Sequence, residues 1–295
     1  VDLDSARIAL IGAKGMLAQA ISAIVPKSAV LQGYDLPDFD VTDRRQVLDE
    51  LAGFAPMVII NCAAYTNVDG CEEAEELATR VNGDGPGLLA EAAIACGALL
   101  VHISTDYVFD GRGGQPYREA DPVAPLSAYG RSKLAGEQAI WNSGLDAALI
   151  VRTSWLYGPG GKNFVETMLR LMQERDQLGV VADQLGSPTL TSDLAAAIML
   201  LLKQDAQGVV HFSNSGICSW HQFAVAIRDE AQQTGLNLKV RRIDPLTTED
   251  YPLPAPRPSY SVLDKTLYSR LCGVRPPGWR ESLRLYLQAR MHVAH

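Results

Sequence analysis

The 295-residue sequence has no run of about 18 apolar residues, the least that a membrane-crossing helix needs, so no membrane partner is expected. It also has no CxxC pair. Its cysteines, Cys62, Cys71, Cys96, Cys218 and Cys272, are odd in number and scattered, as reduced thiols of a cytoplasmic protein would be and a disulfide framework would not. The five histidines show no HxxxH or His/Cys ligand spacing, so no metal site is expected. Positive charge is in deficit: the formal net charge is -8, which disfavours a nucleic-acid partner while allowing a local basic pocket for a small phosphate ligand. The first residues are acidic where a secretory signal would be basic. No internal repeat or low-complexity tract is present. With 47% hydrophobic and 20% charged residues, the chain suits one large α/β unit, or a main domain with a smaller companion.

Short apolar runs at 7–11, 30–34, 57–61, 99–103 and 148–152 read as strands. Helical patterns lie between them, including one from Gly15 with Leu17, Ile21 and Ile24 on one face, and others at 87–95 and 132–141. Nearly continuous apolar strands alternating with helices predict a doubly wound parallel sheet of Rossmann type, α/β in class, covered on both faces. After about Thr153 the rhythm changes. Residues 155–162 and 244–258 read as Gly/Pro-rich loops, and 190–202, 220–234 and 279–288 as helices. The expected division is a dinucleotide-binding domain at 1–153 and a smaller α/β substrate lobe at 154–295, with interleaved boundaries.

Gly12, Gly15 and Ala18 follow the first strand and open a helix. Gly12 can make a tight turn, and Gly15 can admit a pyrophosphate to the helix N-terminus. A βα turn that merely needs glycine would look the same. Asp35, 20 residues beyond Gly15 at the end of strand two, can bind ribose hydroxyls or serve as a turn carboxylate. A carboxylate there favours NADH, whereas Lys14, Arg44 and Arg45 can offset it for NADPH, so both cofactors stay open.

Tyr129 and Lys133 stand at i and i+4, on one face if helical. A nearby ammonium would lower the phenol's pKa and let Tyr129 exchange a proton with a carbonyl or alcohol. A surface pair of no function has the same spacing. Ser104 and Thr105 end strand four, where a hydroxyl can hold a reacting oxygen or simply cap a turn.

Together, the motifs at 12–18, 40–43, 61–69, 104–111, 129–133, 152–158, 186–189 and 257–261 resemble the extended short-chain dehydrogenase/reductase family, and more narrowly the dTDP-4-dehydrorhamnose reductases, over almost the whole chain. The resemblance implies that Gly15, Met16 and Leu17 line the pyrophosphate, Asp40 and Val41 flank the adenine, and Ala63, Ala64 and Tyr65 run beside the cofactor. It makes Thr105, Tyr129 and Lys133 the catalytic set, Thr105 rather than Ser104 supplying the hydroxyl and Lys133 also holding the nicotinamide ribose. It puts Asp106, Tyr107 and Trp155 near the sugar, and Asn163, Phe164 and Arg257 near the nucleotide diphosphate. Trp155 and Phe164 can equally be core aromatics, and Arg257 a structural ion-pair partner. Ala18 in place of a third glycine and Cys62 in place of a smaller residue depart from the family pattern. Some family members are dimers bridged by a metal between acidic side chains. Here Asp193 offers one carboxylate at that place, so no metal is expected, and a monomer or a homodimer would both fit.

The implied reaction is reduction of a 4-keto-6-deoxy sugar carried on dTDP, by hydride from NADPH or NADH and a proton from Tyr129. A nucleotide-sugar epimerase or dehydratase on the same fold is a rival, although Asp106 is followed by Tyr107 rather than the Glu a dehydratase would use. A non-catalytic dinucleotide-binding regulatory subunit is another, but it would need no Thr105/Tyr129/Lys133 set.

Overall fold

The computed structural model describes residues 2–293. Five strands open the chain: β1 (Arg7–Ile11), β2 (Val30–Tyr34), β3 (Val58–Asn61), β4 (Leu99–Thr105) and β5 (Ala148–Thr153). They alternate with α1 (Met16–Ile24), α2 (Arg44–Phe54), α3 (Val68–Glu73), α4 (Glu75–Thr79), α5 (Gly85–Cys96) and α6 (Ala128–Asn142). Beyond them follow β6 (Leu156–Tyr157), α7 (Phe164–Glu174), β7 (Gln177–Val181), β8 (Leu185–Gly186), β9 (Thr189–Leu190) and α8 (Thr191–Lys203). The chain continues through β10 (Gly208–His211), β11 (Cys218–Ser219), α9 (Trp220–Gln233), β12 (Arg242–Leu246), α10 (Thr266–Cys272) and α11 (Trp279–Val293).

The main sheet is parallel throughout and runs β10-β5-β4-β3-β1-β2. Alternate residues of its strands enter two cores. Ile8, Leu10, Val58, Ile60, Val101 and Val151 pack with residues of α1, α8 and α10, whereas Ala9, Ile11, Ile59, Leu100 and Ile150 pack with those of α2, α5 and α6. Burial on both faces is why the strands read as continuous apolar runs. The order reverses between β1 and β3, which opens a crevice at their carboxyl ends. A third core joins β7 and β12 to α7, α9 and α11 in the smaller lobe.

Several boundaries differ from the sequence expectation. Ile24 is 43% exposed, because it sits in the last turn of α1, just ahead of Pro26, while Ala18 takes the buried place beside Leu17 and Ile21. Met57 lies outside β3. Both supposed loops contain strands. Leu156–Tyr157 pairs with Thr189–Leu190, and β12 includes Pro245, tolerated because a two-stranded sheet leaves one edge without a ladder bond to lose. β10 and α8 come from beyond residue 153 yet complete the main sheet and its core.

A buried ion pair fixes α6 to the sheet. Arg152 on β5 donates to Glu137 on α6 through Nε at 2.9 Å and Nη2 at 2.6 Å, and Ser104 on β4 donates to the same carboxylate. Both side chains are almost fully enclosed, at 5% and 2% exposure. Removing one partner strands a charge in low dielectric, so Glu137→Leu should lower unfolding free energy in urea by about 3–5 kcal/mol. An unchanged midpoint and slope would show that α6 is held by other contacts.

Candidate active site

The crevice between β1 and β3 holds a cavity of about 350 Å³ lined by Gly12, Gly15, Asp35, Asp40, Val41 and Ala63 among others. A second cavity of about 790 Å³ reaches Thr105, Tyr129, Lys133 and the smaller lobe. The two share Lys14, Gly15, Cys62 and Ala64, so they form one continuous cleft across the glycine loop. Gly12 adopts φ +75°, and a Cβ there would stand 2.7 Å from the Ala63 backbone nitrogen. Only glycine lets the loop come this close to the chain leaving β3. The N-terminus of α1 opens here with no side-chain cap and no acidic residue in its first turn, and Met16 and Leu17 line the larger cavity. Those features fit the pyrophosphate of a dinucleotide, because free N–H groups and the helix dipole favour an anion.

Asp35 reaches the cleft, but it also clasps the loop: its carboxylate accepts the Lys14 N–H at 2.7 Å and the Leu36 N–H at 2.8 Å. The Asp40 carboxylate turns back on Thr42, accepting from its N–H and its hydroxyl. Ala63 and Ala64 line the cleft. Tyr65 does not line either cavity; its ring packs beside Cys71, Ala78 and Ala128, and Asn82 grips its backbone N–H and carbonyl.

Tyr129 lies in the first turn of α6, behind the Ser127 N-cap, which accepts the Gly130 N–H at 3.1 Å. A Cβ at Gly130 would stand 2.3 Å from the Tyr107 carbonyl oxygen, so this glycine lets α6 sit tightly against the turn after β4. The rings of Tyr129 and Tyr107 meet edge-on at 5.5 Å. Thr105 Oγ1 donates to Asp106 Oδ1 at 2.9 Å and accepts the Tyr107 N–H. Lys133 donates from Nζ to the Ile103 carbonyl at 2.7 Å and lies 3.2 Å from His102 Nε2.

The electrostatics differ from the sequence expectation. Burial and the charge of Asp106 push the Tyr129 phenol up, with Thr105 offsetting part of the rise. The expected lowering by Lys133 is absent because that side chain is drawn back into the protein, toward Ile103 and His102. Burial lowers Lys133 itself to about 8. Asp106 is raised to about 6, also by burial, with its hydrogen bonds countering, and its Oδ2 beside Ser261 makes no full hydrogen bond.

The smaller lobe closes the far side with aromatics. Trp155 stacks on Trp220 at 3.5 Å and 9°, and Phe164 leans on Trp220 at 4.6 Å. All three line the larger cavity, so Trp155 and Phe164 are cavity walls as well as packing residues. Trp155 has φ +49°, a left-handed backbone that costs a bulky residue roughly 1–3 kcal/mol. Arg257 also lines the cavity, but its guanidinium is paired in bidentate fashion with Asp69 at 2.8 Å, holding that carboxyl below its usual range. Asn163 does not reach the cleft wall. Its amide caps α7 and donates to the Gly158 and Gly161 carbonyls, so its role is to shape that loop. Among the described residues no cluster of three metal-ligating side chains occurs, and Asp193 turns inward to Asn214 and Ser282.

Residues 6–291 match the family model described as the RmlD substrate binding domain. The chain belongs to this family. Its relatives in the family span nearly the same length. A dTDP-4-dehydrorhamnose reductase of Aggregatibacter actinomycetemcomitans is 39% identical over 95% of this chain and 97% of its own. The spore coat polysaccharide biosynthesis protein SpsK of Bacillus subtilis is 47% identical over 85% of this chain and 86% of its own. The crystal structure of dTDP-4-dehydrorhamnose reductase from Bacillus anthracis in complex with NADP is 40% identical, superposes with TM-score 0.90, and matches 96% of this chain and 98% of that one.

Lys14, expected near the cofactor, lines the cleft, and so do Trp220 and Cys62, for which the sequence suggests no site role. Trp220 lies 65 residues after Trp155, and nothing local marks it; only the third core brings the two together. Asp106 supplies a test of the site's burial. Its folded pKa, about 6, exceeds the ordinary 3.8, so the folded state binds the proton more tightly. The resulting stabilisation is complete below about pH 4 and is lost as pH rises through about 6, for a total near 3 kcal/mol. Asp106→Asn should therefore gain on the wild type in urea unfolding between those pH values and then level off. Parallel stability curves would mean that the carboxyl is well solvated.

Proposed function

We propose that this protein reduces the 4-keto group of dTDP-4-dehydrorhamnose, with NADPH or NADH, to give dTDP-L-rhamnose. The observation that carries this reading is the continuity of the cleft: the glycine loop at one end opens directly onto Thr105, Tyr129 and Lys133 at the other. The α1 N-terminus would hold the pyrophosphate, Asp35, Asp40 and Val41 the adenosine side, and Lys133 the nicotinamide ribose. A reduced nicotinamide held there supplies a hydride. Tyr129 supplies the proton. The raised phenol pKa keeps Tyr129 protonated at neutral pH, ready to donate to an alkoxide forming at C4. Thr105 would orient the oxygen by turning to it the hydroxyl hydrogen that it otherwise gives to Asp106. The Trp155–Trp220 stack, Phe164 and Tyr107 give the sugar an apolar wall and exclude water. Arg257, oriented by Asp69, faces the diphosphate.

On this reading the protein is a cytoplasmic enzyme, monomer or homodimer, whose ligands are the dinucleotide and a nucleotide sugar and which has no nucleic-acid or membrane partner. Adding dTDP-4-keto-6-deoxy-L-mannose to protein and NADPH or NADH should bleach the reduced-nicotinamide absorbance in step with product. Binding of the dinucleotide with no oxidation would overturn the reading. Tyr129→Phe should keep dinucleotide affinity within about twofold yet lose roughly 10²–10⁴-fold in kcat, the usual worth of a positioned proton donor. Equal turnover in that variant would remove Tyr129 from the reaction.

A further inference from the structure

Lys133 ends among buried polar groups whose hydrogen count can be worked out. Its Nζ donates to the Ile103 carbonyl and lies 3.2 Å from His102 Nε2. His102 is fully buried, and its Nδ1 lies 3.0 Å from Asn61 Nδ2. The Asn61 amide is not free to turn over, because its Oδ1 accepts the Ala63 backbone N–H at 3.0 Å. Asn61 therefore presents its NH2 group to Nδ1, which must act as the acceptor. A neutral imidazole then carries its one hydrogen on Nε2, pointing at Lys133. Burial and the nearby Lys133 both oppose the imidazolium form. An ammonium has three donors and no acceptor, so a charged Lys133 would meet His102 donor to donor. An amine has a lone pair that can accept the Nε2–H.

We propose that in the dinucleotide-free protein Lys133 stands as a neutral amine, selected by the Asn61–His102 pair, and takes a proton from solvent when the dinucleotide enters. His102 lines neither cavity and acts through Lys133, which makes it a positioning residue. Burial by itself brings Lys133 only to about 8, which leaves the ammonium in the majority at pH 7.5, so the His102 Nε2–H has to supply the rest of the fall. The other titratable groups facing Nζ are Cys62 beyond β3 and Glu137 on α6. The Cys62 thiol is pushed up to about 12 by burial and stays neutral, and Glu137 favours the ammonium but is already matched by Arg152. A bound dinucleotide reverses the balance, because its ribose oxygens offer acceptors and its phosphates add negative charge. Only this uptake step rests on the proposed dinucleotide site.

The test uses wild-type protein, with no sugar substrate. Long-range ¹H–¹⁵N correlation of histidine-labelled protein should show His102 as the Nε2–H tautomer, with its signals identified by their loss in His102→Gln. The ¹³Cε shift of Lys133 should report an amine at pH 7.5 in the free wild type and an ammonium once NADH is bound. In His102→Gln, whose amide oxygen can accept from Nζ, the Lys133 titration should rise by about one pH unit or more, a tenfold change in its protonation equilibrium. An Nδ1–H or imidazolium His102, a charged Lys133 in the free wild type, or an unmoved titration in His102→Gln would each overturn the proposal. A Lys133 that stays neutral with NADH bound would overturn the uptake. Failure to reduce the keto sugar would end the reductase reading and leave all of these signals intact.

Discussion

Burying the polar inner face of α6 against β4 and β5 is the constraint on which the site depends. One helix carries Tyr129, Lys133 and Glu137, and all three must be satisfied away from bulk water. Glu137 meets Arg152 and Ser104, Lys133 meets the Ile103 carbonyl, and Gly130 lets the first turn settle onto the Tyr107 backbone. Each contact fixes the depth and rotation of the helix from a different point along it. A slip of one residue would leave a charge unpaired. That is the physical reason a phenol and an amine can be held beside a cleft with so little freedom.

Burial moves three ionisable groups around Thr105 toward their neutral forms. The carboxyl of Asp106 and the phenol of Tyr129 rise, while the amine of Lys133 falls. The ligand-free site is therefore a low-charge arrangement that an anionic ligand can recharge. Asp106 and Lys133 thereby come closer to one another in proton affinity than they are in water, while Tyr129 moves away from both.

The second lobe contributes shape more than charge. Trp155 accepts a left-handed backbone so that its indole lies flat on Trp220, and Gly186 leaves the room it needs, since a Cβ there would fall 2.5 Å from the ring. Strain of this kind persists only where surrounding packing holds it, and here the third core does so. The lobe is tied to the main sheet through β10 and α8, so the aromatic wall is registered to the same scaffold as Thr105, Tyr129 and Lys133.

The sequence by itself determined the fold class, all five opening strands, and the residue types that chemistry at this cleft requires. It could do so because those signals are local: apolar runs, a glycine turn after a strand, and a Tyr and a Lys one helical turn apart. The resemblance of its motifs extended this to Thr105, Trp155, Phe164 and Arg257, all of which line the larger cavity. It could not give the direction in which a side chain turns. Asn163 caps a helix, Tyr65 packs beside Cys71, Ala78 and Ala128, Asp35 clasps its own loop, and Lys133 turns to Ile103 and His102, because buried donors and acceptors must all find partners and the nearest ones are remote in the chain. Trp220 and β10 were settled the same way, by packing against segments remote in the chain, Trp155 and β5, which no local pattern encodes.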